Sequence, residues 1–327
     1  MIELRNKPPS DLEKGVNGMT RSGKPTFNRR LRRVTRNWEL YLMFLPVFVF
    51  FIIFHYVPMY GVQIAFKKFS AVKGIWGSSW RGLYYFKRFF GSYQFTQLLA
   101  NTLSLSLYSL AVGFPAPILL ALMVNELRSE RLKKVVQTVT YAPHFISMVV
   151  MCSIITLFLS PSSGIINRLI EKCGGEAVYF LGKPEYFKTI YVISGVWQNV
   201  GWNSIIYLAA LTAIDPMLHE AATIDGASRL QRLVHINLPG ILPTAVVLLI
   251  MNCGSLMSVG FEKVYLLMND LNRSSAEIIS TYVYQRGLID QDYSYASAVG
   301  LFNSVVNLVL LVLVNTISRR ISETSLW

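Results

Sequence analysis

The chain has 327 residues, 53% of them hydrophobic and only 15% charged, where a soluble globular domain carries about a quarter charged residues. That balance excludes an ordinary water-soluble enzyme and points to the lipid bilayer. The net charge is +13, and three cysteines with no CxxC or Cys/His cluster support neither a zinc site nor a disulfide framework.

Residues 1–37 form a basic arm with RRLRR at Arg29–Arg33, too polar to pack a core. An apolar window comes after this arm of nearly forty residues and no small-residue cleavage site follows the window, so it reads as a retained span rather than a secretory signal. The arm then reads as a cytoplasmic flank at anionic lipid head groups, with no nucleic-acid partner.

From residue 38 to 327 the chain reads as one transmembrane domain with spans near 40–63, 98–124, 145–159, 189–213, 241–261 and 296–317. In lipid the backbone must satisfy itself, and none of these windows alternates as barrel strands do, so the expected fold is an all-α integral membrane protein with six transmembrane helices. The third window is short, with Pro143 and Pro161 flanking it. The fourth carries Trp197, Gln198, Asn199, Gly201, Trp202, Asn203 and Ser204 in its middle. Lys and Arg number 18 on the side shared by the two termini and 13 on the other. The excess favours a multi-pass protein of the cell membrane with both termini cytoplasmic, and puts loops 65–97, 160–188 and 262–295 outside.

Between the fourth and fifth spans lies a polar, cytoplasmic segment, residues 214–239. Asp215-Pro216 is a helix start, with Asp as N-cap and Pro at the first helical position. A short helix Pro216–Ile224 is expected to set Met217 and Leu218 one turn before Ala221 and Ala222. Asp225-Gly226 should break it, since glycine takes the positive φ of a tight reversal. Ser228 is expected to cap a second short helix ending near Ile236, before Pro239.

The string Glu220-Ala221-Ala222, Asp225-Gly226-Ala227, then Ile236, Pro239 and Pro243 resembles the EAA loop of permease subunits of type I ABC importers. Leu233 stands where many members have an aromatic residue. TIYVISGVWQNVGWNSIIYLAALTAIDP, GFEKVYLL, TYVYQRGL and NTISRRISETSLW resemble the oligosaccharide branch of that family, the LplB-like group related to maltose-type permeases. The resemblance implies that Glu220, Ala221, Ala222, Asp225, Gly226 and Ala227 form a coupling helix docked on a cytoplasmic ABC ATPase dimer. It also implies a second permease subunit and an extracytoplasmic substrate-binding protein as partners. No P-loop (GxxxxGK followed by Ser or Thr) occurs, so this chain is expected to bind no cofactor itself, with ATP and Mg used by the partner ATPase.

A sugar needs amides for its hydroxyls and aromatic rings for its C–H faces. Trp197, Gln198, Asn199, Trp202 and Asn203 of the fourth span, Asn252 of the fifth, and Asn303 and Asn307 of the sixth are the candidates for a substrate passage. Gln198 and Trp202 share one helical face, as do Asn199 and Asn203. Interhelical hydrogen bonding is the competing role for such amides. No Asp, Glu, Lys or Arg lies mid-span, which argues against a stand-alone ion-driven carrier. A membrane enzyme of glycan metabolism would want paired carboxylates; Asp290 and Asp292 are the one close Asp pair. The tyrosines Tyr282, Tyr284, Tyr293 and Tyr295 fit an interfacial aromatic belt.

Overall fold

The computed structural model describes residues 38–321; the arm 1–37 and the expectation attached to it lie outside the described residues. The described chain is mostly helical, with one short antiparallel ribbon in which Lys67 pairs with Trp80 and Lys68 with Ser79. It divides into two compact units, one ending at Gly61 and the other beginning at Val62.

In the first unit a helix opens at Trp38 and passes through a π turn at Ile52–Tyr56 just before Pro58. A proline cannot donate to the helical ladder, and the π turn shifts the register there without ending the helix. The apolar helix extends over Trp38–Phe66.

Three further helices are long and apolar enough to cross a membrane: Gln94–Asn125, Arg229–Gly254 and Tyr293–Arg320. Two bent pairs of helices bring the number to six when each pair is counted as one span. In the first, a helix at Glu130–Tyr141 and a helix at Met148–Phe158 meet at 102° across a tight turn at Ala142–Phe145. The single short window near 145–159 is therefore only the second arm of a broken element. Pro143 and the Ser147 N-cap, whose Oγ accepts from Val150 N at 3.4 Å, set the break. In the second pair, the helix Pro184–Thr212 turns by 70° into Pro216–Ile224. The polar run Trp197–Ser204 stays helical throughout.

The fifth span begins earlier than its hydropathy indicates. Ser228 and Gln231 form a capping box that starts a helix at Arg229, and a π turn at Leu233–Asn237 carries it past Pro239 into Leu238–Gly254. The expected separate helix ending before Pro239 is thus the first two turns of the span itself.

Three apolar clusters hold the second unit together. At the end away from residues 214–239, Tyr85, Phe89, Leu98, Ile279, Tyr282 and Tyr295 pack together. Tyr282 and Tyr295 are buried and share a hydroxyl contact of 3.2 Å, so they are core residues rather than members of an interfacial belt. A second cluster joins Leu105, Met151, Ile155, Phe187 and Val264. The third lies near the polar segment and joins Ala121, Leu122, Tyr207, Leu211, Ile241 and Ala245 from the second, fourth and fifth spans. Gly201 lets the fourth span touch the helix Glu130–Tyr141: a Cβ there would lie 2.2 Å from the Thr140 carbonyl oxygen.

Candidate functional site: a polar cavity and a capped surface helix

The short helix Pro216–Ile224 forms as its sequence dictates. The Asp215 carboxylate accepts from Met217 N at 2.9 Å. At the other end Ala227 N donates to Ala222 O at 2.8 Å and Gly226 N to Thr223 O at 3.1 Å, with Gly226 at φ +78°. This is the left-handed C-terminal closure that glycine favours. Arg232 then reaches back across the turn to donate to Thr223 Oγ1 at 2.7 Å. None of the helix's residues is buried, and Met217, Leu218 and Ile224 stand out to solvent beside Ala221 and Glu220. Asp225 and Ala227 flank the glycine at the bend. The result is a rigid, partly apolar ledge joined directly to the fourth and fifth spans.

Those two spans also wall a cavity of about 1050 Å³ with the second span. Gln198, Asn199, Trp202, Asn203 and Asn252 line it, together with Ser106, Ser109 and Tyr191. Asn203 is exposed on it, and Asn252 Nδ2 donates to Leu248 O at 2.8 Å while its side-chain Oδ1 accepts no hydrogen bond among the described residues. Asn199 Nδ2 donates to Gly195 O at 3.1 Å, and its Oδ1 meets His144 Nδ1 at 3.0 Å. Trp202 stacks on the His144 ring, with centroids 4.4 Å apart and planes 4° from parallel. Gln198 is nearly buried; its Nε2 donates to Ile146 O at 3.1 Å, leaving Oε1 without a partner among the described residues. The fourth span thus both lines the cavity and ties down the break in the third.

The other three candidates lie off the cavity. Trp197 is half exposed on another face of the same helix. Asn307 accepts from Met257 N at 2.9 Å and donates to Ser258 Oγ at 2.8 Å, closing the backbone where the fifth span ends. Asn303 has a buried Oδ1 with no partner among the described residues.

Two residues escaped sequence reasoning. His144 sits in a turn that hydropathy leaves blank; its position one residue after Pro143 is the only local signal. Lys263 lies on the helix Phe261–Leu267, which follows the fifth span. It is 4% exposed, and Nζ donates to Tyr191 O at 2.8 Å, 4.7 Å from the Tyr191 ring centre. Desolvation by burial lowers its ammonium to about 8. Its signal was the spacing of Lys263, Val264 and Leu267, which places the lysine on the helix's buried face. Asp290 and Asp292 are each engaged elsewhere, with Arg286 at 3.0 Å and Arg88 at 2.8 Å.

Residues 113–323 match the family described as binding-protein-dependent transport system inner membrane component. The chain is 46% identical over 299 residues to the polygalacturonan/rhamnogalacturonan transport system permease protein YteP of Bacillus subtilis (strain 168), covering 91% of this chain and 93% of that one. It is 45% identical to protein LplB of the same organism, covering 89% and 92% of the two chains. Among solved structures, a chain of a bacterial alginate ABC transporter in complex with an alginate pentasaccharide-bound periplasmic protein superposes with a TM-score of 0.84 at 44% identity. That match covers 90% of this chain and 99% of the other.

Proposed function

Because this chain belongs to the binding-protein-dependent transport system inner membrane components, we propose that it is the permease subunit of an ATP-driven ABC importer. It passes an oligosaccharide or similar carbohydrate from an extracytoplasmic binding protein to the cytoplasm. YteP is named as a transport system permease protein, and this chain is a multi-pass membrane component of the same family. The observation that carries the reading is the exposed, double-capped helix Pro216–Ile224, which connects directly to the two spans lining an amide- and tryptophan-bearing cavity.

In this reading Glu220, Ala221 and Ala222 dock on a cytoplasmic ABC ATPase dimer, which uses ATP and Mg, and Asp225, Gly226 and Ala227 form the bend. A second permease subunit, a homologous chain, completes the pathway. Both termini are cytoplasmic, so the polar segment meets the ATPase and the loops 160–188 and 262–295 meet the binding protein. Closure of the ATPase would tilt the short helix, and its rigid caps would pass that movement to the fourth and fifth spans. Asn199, Asn203, Asn252 and Trp202 would meet the sugar's hydroxyls and C–H faces.

The test is to purify the chain with its co-encoded subunits and measure ATP-dependent oligosaccharide uptake in proteoliposomes. Gly226→Val puts a β-branched residue at φ +78°, at a cost of about 1–2 kcal/mol or more. Uptake should fall at least about tenfold, as that strain implies, with the spans still folded. Gly226→Asn, which tolerates that φ better, should retain most of it. Recovery of no ATPase, or uptake indifferent to ATP, would sink the proposal.

A further inference from the structure

Of the residues lining the cavity, only Glu262 and Lys263 carry charge. The two differ sharply in setting. Glu262 is exposed, whereas Lys263 is buried. Being successive on a helix, they point about 100° apart, as 3.6 residues per turn requires, and no salt bridge joins them among the described residues. The Lys263 ammonium therefore has no carboxylate partner among the described residues.

Its surroundings hold it at the cavity wall. One of its three protons goes to Tyr191 O at 2.8 Å, and the Tyr191 ring lies beside it at 4.7 Å. Gly195 leaves room for it: a Cβ there would come within 3.3 Å of Nζ. Two ammonium protons remain for another acceptor. A buried cation without an anion is costly, and an anion that enters its cavity offsets that cost. A purely structural lysine bridging two helices would be matched by a neutral donor at less desolvation cost.

We infer that Lys263 is a carboxylate-binding residue of the transport cavity, and that the carbohydrate class it selects bears uronic acid groups. The inference rests on the carbohydrate importer reading above. A uronate presents a carboxylate, several hydroxyls and a C–H face on one ring. The cavity offers an ammonium at Lys263, open amide groups at Asn203 and Asn252, and an indole at Trp202.

The test uses the full importer in proteoliposomes with its own binding protein. Trigalacturonate and trimannuronate are each compared with their fully methyl-esterified forms, which keep the ring and remove the charge. The measured quantity is the acid-to-ester uptake ratio. The binding protein is the same in every arm, so a change of ratio between permease variants reports on the permease. Lys263→Gln keeps a donor and loses the charge, and the ratio should fall about tenfold, the scale of one charge-assisted hydrogen bond. Lys263→Met repeats the test with a side chain that needs no hydrogen bond, so misfolding of one variant leaves the other to decide. Lys263→Arg, which keeps the charge, should hold the ratio within about threefold. A ratio unmoved by both Lys263→Gln and Lys263→Met overturns the inference. So does a wild-type importer that takes up galactotriose but neither uronate, an outcome that leaves the carbohydrate importer intact. Failure to import any of these sugars with ATP present would instead count against the importer reading itself.

Discussion

Two glycines show how differently a missing Cβ acts. Gly226 faces open space, with nothing within 4 Å of where a Cβ would sit, and its constraint is wholly the backbone at φ +78°. Gly201 has ordinary backbone geometry, and its constraint is wholly the neighbour: the Thr140 carbonyl oxygen and carbon would lie 2.2 and 2.4 Å from a Cβ. Backbone atoms of a packed helix cannot step aside as a flexible side chain can. Gly201→Ala should therefore destabilise the protein by about 1–3 kcal/mol, the range for overpacking a core. Thermal unfolding of the detergent-solubilised chain would show the loss as a lowered midpoint; an unchanged midpoint would mean that the two helices part freely. At Asn167 one buried side chain ties down a whole loop. It donates to Ser160 O and Val178 O at 3.0 Å each and accepts from Val178 N at 2.8 Å. The helix Ile165–Lys172 is thereby held against both ends of its loop.

The elements that break are as informative as those that run straight. Prolines at positions 58 and 239 each follow closely on a π turn, which moves the helical ladder so that the missing donor leaves no gap. By contrast, Pro143 and the Ser147 cap end one helix and start another, giving the 102° break. The short helix Pro216–Ile224 has only nine residues and buries none of them, so its persistence depends on its caps. Asp215→Ala removes the acceptor for Met217 N and should cost about 1 kcal/mol. Hydrogen exchange at the amides of Met217–Ala222 should quicken about fivefold as a result. Exchange at the fourth span should stay as it was, since the cap lies outside it. Equal quickening in both would mean that the helix and the span open together.

For the whole molecule, the orientation can be tested with cysteines the chain already has. Cys173 is exposed in the loop between the third and fourth spans, while Cys152 and Cys253 are buried. With both termini in the cytoplasm that loop lies outside, so a membrane-impermeant maleimide added to intact cells should label Cys173 alone. Labelling only after permeabilisation would reverse the orientation and with it the side of the membrane on which Glu220–Ala222 lie. The same scale explains the cavity. Its walls come from the second, fourth and fifth spans, and its chemistry from side chains up to 157 positions apart in the chain, Ser106 to Lys263.

Much was legible in the sequence because it depends on composition and on neighbours within a turn or two. Six apolar windows, the helix start at Asp215-Pro216 and the bend at Gly226 follow from hydropathy, capping chemistry and backbone sterics, none of which needs a distant partner. What spacing could not say is what a helical face meets. Asn199 and Asn203, or Asn303 and Asn307, are equally good i, i+4 pairs. Only the packing of one span against another set the first pair on the cavity and used Asn307 to close the backbone at Met257 and Ser258. Packing likewise buried Tyr282 and Tyr295, bent the third span over His144, and drew Lys263 out of an apparent outer loop to the cavity wall. The sequence by itself determined a multi-pass membrane protein with a capped surface helix after its fourth span. The tertiary structure decided which polar groups face the cavity, because burial and desolvation belong to the assembled helices and not to any one of them.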